Sequence, residues 1–430
     1  MLDRLFKLEA HGTTVRTEIL AGITTFLTMA YIVFVNPEIL SAAGMPRESV
    51  FVATCLAAAL GSAIMGLYAN YPIAMAPGMG LNAYFAFVVV GTLHYSWQAA
   101  LGAVFLSGCL FVVVSVLRVR EWIVNAIPRS LKLAISAGIG LFLALIGLKN
   151  AGLVVDDPAT LVTLGSLHAA PPIYAIAGLL LIVALQVRRI TGGVVIGILV
   201  VTVAAVAFGH AKFAGVFAPP PSIAPTFLAL DIGAALDAGL LAVVLTFFLV
   251  ELFDATGTLV GVAHRAGLLD AEGRLPRLNR ALLADSTAIV AGAALGTSST
   301  TAYIESAAGT SVGGRTGLTA VVVAVLFLLA LMFAPLAATV PAFATAPALV
   351  YVAVLMARGL AEIDWQDLSE AAPAVLCAVA MPFLFSIAHG IALGFVSYAG
   401  IKALSGRWRE VPLAVWVLAA VFVAKFAFLS

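Results

Sequence analysis

Apolar runs about twenty residues long recur from residue 18 to residue 405, with short polar loops between them, and this recurrence decides what the chain can fold into. A helix of about 20 apolar residues crosses the hydrocarbon core of a bilayer. Inside that core only helices and closed barrels can satisfy every backbone N–H and C=O group. Hydrophobic residues make up 63% of the chain and charged residues only 10%, against roughly 25% charged in soluble proteins. The expected fold class is therefore an all-α polytopic membrane protein. Fourteen segments can be drawn. Seven cover 18–38, 48–68, 72–91, 97–117, 128–149, 172–188 and 191–209. After the Pro-rich stretch "FAPPPSIAP" (Phe217–Pro225), seven more cover 236–262, 281–296, 299–313, 317–334, 341–357, 373–387 and 389–405. A last apolar run, Val411–Leu429, is either a further span or a helix lying against the membrane.

The positive charges fit this division. With a cytoplasmic N-terminus, the inner loops collect Arg4, Lys7, Arg118, Arg120, Arg188, Arg274, Arg315, Lys402 and most other basic residues. The outer loops hold only Arg47, Lys149 and Lys212. Met1–Arg16 is polar and basic and leads straight into a full span, so it reads as a cytoplasmic start in a cytoplasmic (inner) membrane and not as a cleaved signal. The net charge of +1 argues against nucleic acid as a partner. The three cysteines (Cys55, Cys109, Cys377) lie in apolar runs without metal-binding spacing. The HExxH motif is absent, and the acids do not follow a protease pattern, so an enzyme is not expected.

Seven segments followed by seven imply two halves inserted with opposite topology: 1–210 and 236–405, joined by a linker at 211–235 and followed by a C-terminal apolar segment at 406–430. "IPRSLKLAISAGIGLFLALIGL" opens the fifth span and "VPAFATAPALVYVAVLMARGL" the twelfth, each with proline second. The third and tenth spans are the broken ones and stand at matching positions. Such a pair is the best pointer to a transporter's binding site. In "ANYPIAMAPGMGLNAYFAF" (Ala69–Phe87), Pro72 and Pro77 bar a regular helix. An extended piece, Ile73–Ala76, should precede a half-helix starting near Pro77. In "TSSTTAYIESAAGTSVGGRTG" (Thr297–Gly317), a Ser/Thr-rich extended piece should precede a helix from about Ile304. Facing half-helix N-termini present free N–H donors at mid-membrane.

Acids occupy the same region. Glu305 falls in the first turn of the second half-helix and Asn82 in that of the first. Glu251 and Asp254, three apart on the eighth span, share a helix face. A charge there costs at least about 2.5–3.5 kcal/mol on insertion scales. No basic residue lies in a membrane interior on this map, so the relief is protonation or hydrogen bonding to a ligand. Glu251 and Glu305 are thus candidates both for ligand binding and for proton coupling; Asp254 either joins them or caps the turn that follows. A carboxylate accepts hydrogen bonds and repels anions, so the ligand should be neutral or cationic and rich in N–H donors. An asparagine offering donor and acceptor suits the edge of a heteroaromatic base. Phe85, Phe253 and Tyr303 are available for stacking.

At these motifs the chain resembles the AzgA-like purine permeases of the nucleobase–cation symporter and nucleobase–ascorbate transporter group. The matching pieces include "GITTFLTMAYIVFVNPEIL" (Gly22–Leu40), "NYPIAMAPGMGLNAYF" (Asn70–Phe85), "VELFDATGTLVG" (Val250–Gly261) and "MPFLFSIAHGIALGF" (Met381–Phe395), besides the two quoted above. The resemblance implies uptake of hypoxanthine, guanine or adenine driven by the proton gradient with no cofactor, through an elevator-like alternating-access mechanism. It implies a core domain (spans 1–4 and 8–11), a gate domain (5–7 and 12–14) and, from relatives of the fold, a homodimer. Carried over by motif, the substrate contacts fall on Glu251, Glu305, the N–H of Ile304, Gly80 and Asn82, and proton coupling on Glu251, Glu305 and Asp254. One departure stands out: Glu251 takes the place of the usual Asp, followed by "FDA" instead of "FDT". A uracil or xanthine permease, or another small-solute carrier of the same fold, is the alternative reading.

Overall fold

The computed structural model describes residues 2–117, 127–270 and 275–428. Arg118, Arg120 and Arg274 from the charge count lie outside the described residues, as does the side chain of Phe253. In chain order the principal helices are α1 (Val15–Met29), α2 (Ile32–Ser41), α3 (Arg47–Ile64), α4 (Met79–Ala83), α5 (Trp97–Val116), α6 (Arg129–Asn150), α7 (Ala170–Val187) and α8 (Gly193–Ala207). They continue with α9 (Ala238–Arg265), α10 (Leu278–Leu295), α11 (Ser306–Ser311), α12 (Gly317–Ala330), α13 (Ala342–Ala357), α14 (Leu368–Phe383), α15 (Ile387–Leu404) and α16 (Leu413–Phe428). Four short strands are β1 (Met75–Pro77), β2 (Val154–Asp157), β3 (Leu161–Leu164) and β4 (Thr300–Ala302). Among the described residues nine helical segments are long and apolar enough to cross a membrane, so the chain is a mostly helical, polytopic membrane-type fold. Four further apolar helices are shorter, including Met79–Thr92 and Leu413–Ala424. The run left open at the C-terminus is thus helical.

Two compact units make up the fold. The first is Met1–Val116 with Ala151–Ala348, the second Leu117–Asn150 with Leu349–Ser430. Each draws on chain from before and after the Pro-rich stretch.

Within the first unit, the third and tenth segments break as two prolines and a Ser/Thr run dictate. The last turn of α3 widens to π geometry over Met65–Ala69, and Asn70 takes a left-handed conformation at φ 54°. The chain then extends into β1, which pairs antiparallel with β4: Met75 opposite Ala302, Ala76 opposite Thr301, Pro77 opposite Thr300. The expected half-helix starts need correction. Pro77 closes the strand, and the helix begins at Met79 after an extended Gly78 whose N–H bonds to the Ser299 carbonyl at 2.8 Å. The second begins at Ser306, with Glu305 at its N-cap instead of inside its first turn. The ladder consumes N–H groups that a helix starting earlier would have left unpaired.

The linker 211–235, with its Pro-rich stretch, is docked along this unit. Ala218 N–H bonds to the Met332 carbonyl, Leu228 N–H to Ala294, and Asp231 N–H to Gln98. Sequence pattern also passed over Glu18. It is fully buried in α1 and accepts from Arg315 N–H at 2.8 Å, Thr319 N–H at 3.2 Å and the Thr319 hydroxyl at 2.6 Å. This is an anion satisfied at the N-terminus of α12. The β2–β3 hairpin was unexpected too; the side chain of Asp157 accepts from the N–H groups of Ala159 and Thr160, which holds its carboxyl below the usual carboxylate range.

In the second unit Glu362, Asp367 and Glu370 are held in ion pairs. Glu362 pairs with Arg129. Lys402, only 1% exposed at the end of α15, lies 2.9 Å from both Glu370 and Glu410. Arg407 reaches Asp367 and Glu410 at 2.8 Å each. Ser130 and Tyr398 donate to Glu370. The network thereby joins α6, α14, α15 and the segment entering α16.

Candidate functional site

The site is built where β1 and β4 cross. Beyond the ladder, Tyr303 N–H bonds to the Ala74 carbonyl at 3.0 Å and the Tyr303 hydroxyl to the Pro77 carbonyl at 2.6 Å. Ala74 N–H bonds to Ser306 Oγ, and Ser62 Oγ both accepts from Met75 N–H and donates to the Met75 carbonyl. Every one of these groups is buried. The paired strands are therefore a stiff platform, and each hands the chain to a short helix whose first-turn donors have no intrahelical partner.

Glu305 stands at one of those starts. It is half-buried, and Tyr31 donates to its Oε1 at 2.5 Å. The N–H of the preceding Ile304 has no protein acceptor among the described residues. Asp254 on α9 is also half-buried and lies within electrostatic reach of Glu305. Glu251, one turn earlier on α9, goes elsewhere. It is fully buried and accepts from the Ser107 hydroxyl at 3.1 Å. Ser299 and Asp285 lie close to it, yet Glu251 Oε2 and Ser299 Oγ have no hydrogen-bond partner among the described residues. The three acids named from the sequence thus separate into an open pair, Asp254 with Glu305, and a deeper Glu251. No Lys, Arg or His acts on any of the three among the described residues.

Asn82 is fully buried. Its amide donates to Asn36 Oδ1 at 2.5 Å and accepts from the Ser298 hydroxyl, while Asn36 in turn donates to Thr54 and Thr297. The side chain therefore ties α2, α3 and α4 to the residues leading into β4. Gly80 is half-buried on α4. Of the aromatic candidates, Phe85 is fully buried and Tyr303 is committed to Pro77.

Three residues that sequence reasoning passed over belong to this region. Asp285 on α10 is fully buried and accepts from Ala302 N–H at 2.9 Å and from the Thr301 hydroxyl at 3.1 Å, which pins β4. Tyr31 holds Glu305, and Asn36 holds Asn82. An acid in the middle of an apolar helix was the available signal for Asp285; Tyr31 and Asn36 carry none without the fold.

Comparison with known proteins follows the same lines. The Xan_ur_permease model, of a permease family, matches residues 16–393. The chain is 51% identical over 424 residues to the adenine permease AdeQ of Escherichia coli K12, covering 99% of this chain and 96% of that one. It is 47% identical to the guanine/hypoxanthine permease PbuG of Bacillus subtilis, over the whole of both chains. Among solved structures, the transmembrane domain of the cyanobacterial bicarbonate transporter BicA superposes with a TM-score of 0.67 at 16% identity, covering 87% of this chain and 96% of that one. That likeness concerns the fold alone.

Proposed function

The chain belongs to the xanthine/uracil-type permease family, a family of transporters and not of enzymes, and from that membership we propose that it takes up purine nucleobases (hypoxanthine, guanine or adenine) in symport with protons. The relatives named as adenine and as guanine/hypoxanthine permeases match it from end to end, which favours a purine. The observation that carries the site is the Ile304–Glu305 start of α11, where an N–H with no protein acceptor among the described residues stands beside a carboxylate, Asp254 lies within electrostatic reach, and no described Lys, Arg or His acts on either acid. An acceptor beside a donor matches the edge of a neutral purine. A second acid that takes up a proton as the substrate binds gives a route for coupling.

In this reading Glu305, Asp254, Ile304 N–H and Gly80 meet the substrate. Glu251 takes a proton in the deeper position, and Asn82 holds the first half-helix in place. The fourteen segments form two inverted halves of seven, with the N-terminus in the cytoplasm of an inner-membrane protein. A core carrying the β1–β4 crossing moves against a gate by an elevator-like step, and the protein works as a homodimer.

The test is uptake of radiolabelled hypoxanthine, guanine, adenine and uracil into cells without their own permeases, with and without a protonophore. Purine uptake abolished by the protonophore supports the proposal. Uracil as the only substrate, or purine uptake indifferent to the protonophore, removes the substrate or the coupling respectively.

A further inference from the structure

The root of β1, residues Asn70–Tyr71, is tied down by chain segments that the mechanism above does not use. Asn70 is buried in a left-handed conformation, which asparagine tolerates better than most residues. Its Nδ2 donates to the Phe6 carbonyl at 3.1 Å, and its Oδ1 accepts from Gly317 N–H at 2.7 Å. Phe6 and Leu8 of the N-terminal segment are themselves buried, packed on Leu318 at the start of α12 with Val321 and Val322 beside them. Tyr71 is 2% exposed and donates its hydroxyl proton to the Pro276 carbonyl. The Arg277 guanidinium lies 4.9 Å from the Tyr71 ring centroid, and that of Arg280 lies 5.8 Å from the ring of Tyr68. Arg277 is the N-cap of α10, held at φ 57°. The N-terminal segment and the segment entering α10 thus grip two consecutive residues from two directions.

Those two residues feed directly into the platform. Ala74, whose N–H bonds to Ser306 Oγ and whose C=O accepts from Tyr303 N–H, lies three residues beyond Tyr71, past a bend at Pro72 and at most about 10 Å away. Such a short and fully buried link transmits the position of its root to its tip. We propose that Asn70 and Tyr71, clamped by the N-terminal segment and by Pro276–Arg277, are positioning residues that set how deep β1 lies against β4, and therefore the affinity of the site for its substrate. The proposal rests on the reading that the β1–β4 crossing holds the substrate. It gives the N-terminal segment and the α9–α10 connection a task beyond orienting the chain. Arg277 is spent on an aromatic ring.

Uptake kinetics of Tyr71→Phe, Asn70→Ala, Arg277→Ala and Arg277→Lys would test this, in the full chain, with the amount of each variant in the membrane measured in parallel. Tyr71→Phe keeps the ring and removes only the bond to Pro276. The proposal expects KM to rise about threefold or more in Tyr71→Phe, Asn70→Ala and Arg277→Ala, the scale of one lost buried hydrogen bond. The maximal rate per molecule should stay within about twofold, and Arg277→Lys should recover part of the affinity because the cation over the ring is kept. A purely structural role would lower the amount of protein and leave KM unchanged; that result overturns the proposal, as does a fall in maximal rate alone. If Asn70→Ala does not reach the membrane, Tyr71→Phe decides by itself. Failure of the wild-type protein to take up any nucleobase would instead remove the reading on which the proposal rests.

Discussion

Glu305 and Asn82 stand just after the two chain breaks, and their surroundings set them to different work. Glu305 keeps one oxygen on Tyr31 and is half open. Asn82 is sealed between Asn36 and Ser298. Replacing Glu305 by Gln should therefore reduce uptake at least about tenfold at unchanged protein level, since it removes a charge-assisted acceptor next to the Ile304 N–H; uptake normalised to membrane protein checks this. Asn82→Ala should act through stability. It strands Asn36 Oδ1 and the Ser298 hydroxyl in a dry interior, a loss of about 1–3 kcal/mol, to be read as a lower unfolding temperature of the purified protein. The acids were legible as residues because a charge in an apolar helix has few reasons to be there. Their partners were not: Tyr31 and Asn36 look like ordinary members of "AYIVFVN" until α2 is brought against β4 and α4. The three-residue spacing of Glu251 and Asp254 placed them on one face, but a face is wide enough to send one to Ser107 and the other toward Glu305.

At the scale of elements, proline and glycine carried most of the information. Pro72, Pro77 and the Ser/Thr run foretold two extended pieces, and they are present as β1 and β4. Their mutual pairing was not foretold, because register depends on contacts more than two hundred residues apart in sequence. The same limit explains Gly66 and Gly317, which give no local signal. A Cβ on Gly317 would lie 1.9 Å from the Gly66 carbonyl oxygen, and one on Gly66 2.5 Å from that of Gly317. The wide turn ending α3 and the first turn of α12 touch backbone to backbone. Gly317→Ala should then force these helices apart and cost about 1–3 kcal/mol or more. Gly257→Ala on α9, where a Cβ meets nothing within 4 Å, should be tolerated. Thermal unfolding of the two variants in detergent, compared side by side, distinguishes a specific close approach from a general intolerance of methyl groups.

For the whole molecule, the charge pattern and the apolar runs foretold a polytopic helical protein, and the family membership agrees. What they could not show was the division into two units, since each unit gathers separated stretches of chain. The second unit has its own electrostatic fastening. Hydrogen bonds from Ser369 and Arg407 push the Asp367 carboxyl down to about 2, and those from Arg407 and Lys402 push Glu410 down to about 2. Carboxyls lowered in the folded state stabilise it above their ordinary unfolded range near pH 4, and this contribution disappears as the pH falls toward about 2. Unfolding temperature measured across that window should drop on acidification, and the drop should be shallower in Asp367→Asn with Glu410→Gln. A parallel pH curve in the double variant would remove the role assigned to these groups.

The central claim is that Glu305 and Asp254, at the start of α11 and across from it, hold a purine. Equilibrium binding of labelled hypoxanthine, guanine and adenine to the purified protein tests it most directly, because binding needs neither a gradient nor a complete transport cycle. The account predicts saturable binding of at least one purine, weakened about tenfold or more in Glu305→Gln and in Asp254→Asn while both variants remain folded. Purine binding of undiminished affinity in both folded variants would contradict it.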